Sequence, residues 1–70
     1  MFYFFERNSE YVRYEIRPVE GSPRCDIVIF EDGQPERVEH YPSWEAADAR
    51  WKVLKRQLKG NGWKGPMGRE

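Results

Sequence analysis

The sequence predicts an α+β fold: a four-stranded antiparallel β-meander packed on one C-terminal α-helix, in the order ββββα. Three observations carry this. Apolar residues recur every three or four positions from Trp44 to Leu58, the period of a helix with one buried stripe. Residues 10–19 alternate, with Val12, Tyr14 and Ile16 on one face and Tyr11, Arg13, Glu15 and Arg17 on the other. Asp32-Gly33, between two strand-like runs, is a strong short hairpin signal.

Each element has its own local reason. Met1 to Arg7 is rich in aromatics and reads as the first strand. Asn8-Ser9 is a turn signal, since both side chains bond readily to nearby backbone. The alternating second strand runs from Glu10 to Val19, and Pro18 limits pairing at its end. Glu20-Gly21-Ser22-Pro23 is a loop. Arg24 to Glu31 has a β-branched apolar centre and forms the third strand. Gln34 to Tyr41 is short, charged and carries Pro35, as edge strands do. The helix follows within Tyr41 to Lys59. Ser43 is its N-cap, with a hydroxyl placed to accept from a first-turn amide. Gly60 suits the left-handed residue that ends many helices. Trp44, Ala47, Trp51, Leu54 and Leu58 form the apolar stripe. Glu45 and Asp48 lie near the positive end of the helix dipole, and Lys55, Arg56 and Lys59 near the negative end. The expected organisation is a single domain over 1–60 and a flexible Gly-rich tail over 61–70. The expected core is Val12, Tyr14, Ile16, one face of the third strand, Val38, Ala47, Trp51, Leu54 and Leu58.

Composition narrows the function. Seventy residues make one small domain with a marginal core, to which eleven aromatics contribute large buried areas. One Cys excludes an internal disulfide, and one Cys with one His falls short of the usual four-ligand zinc site. No metal or cofactor is expected. The start of the chain lacks the features of a secretory signal, and no stretch approaches the ~20 apolar residues that span a bilayer. A soluble, cytoplasmic protein is the expectation.

Candidate chemistry is sparse. Cys25 and His40 are the only nucleophile or base of their kinds, but Cys25 sits inside a strand pattern, where buried inert cysteine is common. His40 lies between Glu39 and Tyr41 on the edge strand. No paired carboxylates, phosphate-cradling loop or small-molecule site stands out, so a non-enzyme is expected.

Binding features are clearer. Residues 1–49 hold five arginines against eleven acids, a net −6, while residues 50–70 hold seven basic residues against Glu70, a net +6. Arg50, Lys52, Lys55, Arg56 and Lys59 offer a basic helix face for phosphate. The same residues also serve as an ordinary solubilising face. Tyr11 and Arg13 on the outer face of the second strand are suited to stacking unpaired bases, and equally to a cross-strand charge ladder. The first and third strands are apolar on both faces, whereas one helix covers only one. Tyr3, Phe5, Val28 and Phe30 are therefore assigned to an interface with a second copy or another protein.

The segment Tyr41-Pro-Ser-Trp-Glu-Ala-Ala-Asp-Ala-Arg-Trp, with Gly-Asn-Gly-Trp after Leu58, resembles the end of WGR domains. There an aromatic-x-Ser/Thr-x-Glu-Ala segment opens a helix that closes with a Gly-aromatic pair after a small sheet. The DNA-binding domain of plant ethylene-response factors has a similar strand-to-helix junction. The resemblance covers some twenty residues and implies a small sheet-plus-helix nucleic-acid-binding domain. The Trp-Gly-Arg triplet is absent, and no family site residue is carried over.

The expected function is thus a small non-enzymatic binding module associated with nucleic acid, acting as a dimer or bound to a partner. The alternative is a protein-interaction or inhibitor module, such as a small phage-type antagonist, that docks its acidic sheet on a basic partner surface.

Overall fold

The chain first reverses at Asn8-Ser9, where both residues hold positive φ, 49° and 68°. Two successive positive φ values match the twist of a tight two-residue hairpin. Arg7 pairs with Glu10 across it, joining β1 (Phe2–Arg7) to β2 (Glu10–Pro18). A backbone bond from Val19 N to Arg24 O, 3.0 Å, closes the next loop and leads into β3 (Cys25–Glu31). Gly33, at φ 76°, turns the chain again, and Gln34 N donates to Glu31 O. The fourth strand, β4 (Arg37–Tyr41), starts three residues later than the sequence implies. Pro35 has no amide to give a ladder. Helix α1 (Trp44–Gly60) follows, then β5 (Lys64–Arg69). The computed structural model describes residues 2–69. Met1, expected in the first strand, and Glu70, expected in the tail, lie outside the described residues.

The fold is α+β, but its antiparallel sheet has five strands, ordered β4-β3-β2-β1-β5, rather than four. Lys64–Arg69, expected within the flexible tail, pairs with β1. Its run, Lys-Gly-Pro-Met-Gly-Arg, has neither alternation nor β-branched residues, so no strand signal marks it. The pairing contains a bulge between Phe4 and Glu6, and the peptide Gly65-Pro66 is cis.

Helix α1 begins as expected: the Ser43 hydroxyl accepts from Ala46 N at 3.2 Å. Its end differs. Asn61 is the C-cap, and the left-handed conformation falls on Gly62 (φ 87°) instead of Gly60. Trp63 N then donates to Leu58 O at 3.0 Å, a wrap that satisfies the last carbonyls. The turn folds Trp63 back against the core.

The core lies between α1 and one face of the sheet. Phe5, Val12, Tyr14, Ile16, Cys25, Ile27 and Ile29 meet Ala47, Trp51 and Leu54 there. Trp51 is its centre: Tyr3 stacks on it at 4.6 Å, and Tyr14 and Phe5 lie 5.4 and 5.9 Å away. Burial of each large side chain contributes about 1.5–3 kcal/mol. One expected core position, Val38, and one residue of the helix stripe, Trp44, are displaced. Val38 is 44% exposed, because β4 pairs Val28 with Val38 and so turns Val38 to the face away from the helix. Trp44, at the first turn of α1, is 41% exposed. Leu58 is half-buried against the core.

Candidate functional site

The register decides which residues share the uncovered face. Phe4 pairs with Arg13, and Arg13 with Phe30; Phe2 pairs with Glu15, and Glu15 with Val28. On the other strand positions, Tyr3 pairs with Tyr14 and Phe5 with Val12, both under the helix. The assignment of Tyr3 and Phe5 to an interface is therefore corrected. Phe5 is fully buried, and Tyr3 is packed on Trp51. Strict alternation separates the two faces of the first strand without saying which one the helix takes. Val28 does lie on the uncovered face but is fully buried among its own neighbours, so it offers no contact surface. Phe30 is half-buried on this face, where the sequence reading put it. Phe2, Phe4, Val38 and Met67 belong to the same surface and were missed. Val38 and Met67 are 44% and 48% exposed.

Arg13 organises the middle of this face. Its guanidinium carbon lies 4.1 Å from the centroid of Phe30 and 5.6 Å from that of Phe2. Such contacts hold a cation over an aromatic face for about 0.5–2 kcal/mol each. Its Nε is buried with no hydrogen-bond partner among the described residues. Beside it, Phe4, Tyr11, Arg13, Phe30, Glu31 and Asp32 line a shallow cleft of about 360 Å³. Tyr11 is half exposed at its rim, and its backbone amide donates to Asp32 Oδ2 at 3.0 Å.

Two side-chain pairs on the face are bonded within it. Arg17 Nη2 donates to Glu15 Oε1 at 2.7 Å, and this bond leads in holding the Glu15 carboxyl below its ordinary pKa. His40 Nδ1 lies 2.9 Å from Asp26 Oδ1 and 3.3 Å from Arg24 Nη2. Cys25 faces the core and His40 the opposite side, so the two make no Cys–His pair. Burial first, and then the Asp26 charge, push the Cys25 thiol up, away from reactive thiolate. Among the described residues no group of three or more His, Cys, Asp or Glu is placed to hold a metal ion, and no helix is long and apolar enough to cross a membrane.

No protein-family model, curated protein or solved structure matches this chain.

The basic residues belong to α1, across the sheet from Arg13, while Tyr11 lines a cleft with Leu58 at the C-terminal turn of α1, so the expected nucleic-acid residues do not form one surface. Arg50 is tied to Glu39 at 3.3 Å and Lys52 to Asp48 at 3.0 Å. Lys55, Arg56 and Lys59 have no ion-pair partner among the described residues.

Proposed function

We propose that this chain is a small non-enzymatic protein-interaction module that docks its uncovered sheet face on a protein surface. One observation carries the reading: Phe2, Phe4, Phe30, Val38 and Met67 lie together on a face with no helix over it. Around them Arg17 is paired with Glu15, His40 is bonded to Asp26, and Arg13 is held between rings. A surface that keeps its apolar groups open, with Arg13 and Arg17 already engaged within it, is suited to a protein partner. It is poorly suited to the phosphate backbone, which needs cations free to replace counterions.

The test places a photo-crosslinking residue at Val38 or at Lys52. Adducts with protein from position 38, absent from position 52 and lost on Met67→Asp, are the expected result. Adducts only from position 52 would overturn it.

A second reading, nucleic-acid association, is favoured by Lys55, Arg56 and Lys59, which have no ion-pair partner among the described residues, and by the resemblance of the helix segment to WGR domains. It expects a mass in light scattering that rises with a short single-stranded oligonucleotide at low salt and loses the rise at high salt. A mass unmoved at low salt would remove it.

A further inference from the structure

Arg13 stands in the middle of the uncovered face with its charge held and its donors unused. Phe30 and Phe2 meet its guanidinium carbon at 4.1 and 5.6 Å. Rings attract the charge, but they supply no oxygen or nitrogen lone pair to the five N–H donors of an arginine. Nε is buried without a hydrogen-bond partner, and no ion pair among the described residues includes Arg13. The residue nevertheless lines the cleft of about 360 Å³. The carboxylates around it are bonded elsewhere. Glu31 accepts from Arg37 Nη2 at 2.9 Å, Glu15 from Arg17 Nη2 at 2.7 Å, and Asp32 from the Tyr11 amide at 3.0 Å. Glu6, opposite Tyr11 in the register, does not line the cleft. The group left over on this face is thus a fixed cation in need of an acceptor.

We propose that Arg13 receives a single carboxylate of the protein partner, from an aspartate or glutamate set among apolar residues. The proposal rests on the protein-interaction reading and names the chemistry of the partner at its centre. A guanidinium presents its N–H groups as a planar fork, which two carboxylate oxygens match. Phe4, Tyr11 and Phe30 in the same cleft, with Val38 and Met67 on the same face, suit the apolar neighbours of that acid. The ring contacts hold Arg13 before the partner arrives, so little side-chain freedom is lost on binding. Exclusion of water by the partner strengthens the pair. Asp32 keeps its charge on the same wall, which favours one monoanionic group over a run of acids or a dianionic phosphate.

The probe is phenylacetate, a carboxylate beside one ring. Phenylacetamide is its uncharged counterpart and phenyl phosphate its dianionic one. The readout is backbone amide and arginine Nε–H shifts of the whole chain. Saturating shifts at Phe4, Tyr11, Arg13 and Phe30, and at the Arg13 Nε–H, are expected from phenylacetate. Phenylacetamide should bind about fivefold more weakly or not at all. Arg13→Met, which keeps an apolar stem, should weaken phenylacetate by a similar factor, and the same spectra report whether the variant is folded. The comparison of the three probes on the unaltered chain decides the matter even if that variant fails to fold. Absence of phenylacetate binding, equal binding of phenylacetamide, tighter binding of phenyl phosphate, shifts centred on Lys55, Arg56 and Lys59, or unchanged binding by folded Arg13→Met would each overturn the proposal. Crosslinking at Val38 separates the two claims: adducts there without phenylacetate binding would defeat the carboxylate proposal and leave the docking face standing.

Discussion

At the scale of single residues, Gly65 shows how little of a site's strictness comes from side-chain chemistry. It holds φ 143°, and a Cβ added to it would lie 2.6 Å from the carbonyl oxygen of Phe4 and 2.9 Å from the Phe5 ring. Only glycine adopts this backbone and lets β5 approach β1 so closely. Gly65→Ala should cost about 2 kcal/mol or more in chemical denaturation, from backbone strain and the contact with Phe4 together. Gly60→Ala is the control. Nothing lies within 4 Å of the added carbon and the residue is helical, so stability should hold or rise slightly. Equal effects at the two positions would mean that β5 is not held against β1 in this way. In sequence Gly60 reads as a left-handed helix end and Gly65 as part of a flexible tail, because a glycine's neighbours in space are absent from its neighbours in sequence.

At the scale of elements, β4 is joined to α1 by a small polar cluster at the edge of the core. Glu39 Oε1 accepts from the Tyr41 hydroxyl at 2.5 Å and from Arg50 Nε at 3.3 Å. Burial raises the pKa of Glu39, but the bonds from Tyr41 and Arg50, with the arginine charge, outweigh it and leave the carboxyl below its usual 4.5. A depressed folded-state pKa stabilises above the unfolded value and loses that contribution as pH falls through the folded value. The melting temperature should therefore begin to drop as pH falls below about 4.5 and continue downward. Glu39→Gln should be less stable than the parent at pH 7 and should lose less on acidification. Parallel melting curves against pH for the two proteins would sink this account. Glu15, lowered chiefly by its bond to Arg17, contributes in the same direction and sets the residual slope of the variant. The basic residue at position 50 was read as a phosphate ligand because sequence displays its charge and conceals its partner eleven residues away on β4.

At the scale of the whole molecule, β5 and Trp63 convert β1 from an edge into an inner strand. Removing residues 62–70 would strip the paired neighbour from β1 and the indole from the side of the core. The truncated chain should melt at a lower temperature, and its bare β1 edge, apolar on both faces, should drive aggregation visible in light scattering. A truncated chain that melts with the full-length protein and stays the same size would show that the segment contributes nothing to the fold. The uncovered face is likewise a property of the whole. Its residues come from β1, β2, β3, β4 and β5 and meet only because the antiparallel registers align them.

The sequence by itself determined the α+β class, the hairpin turns, the Ser43 cap, the helix stripe around Trp51 and the two-sided character of the first and third strands. These follow from signals carried within a few residues: period, capping chemistry and turn preference. Only the tertiary structure decided that Tyr3 and Phe5 go under the helix, that Val38 turns outward, and that a glycine- and proline-rich segment completes the sheet. Those outcomes depend on strand register and close backbone approach, which join residues distant along the chain and leave no local pattern.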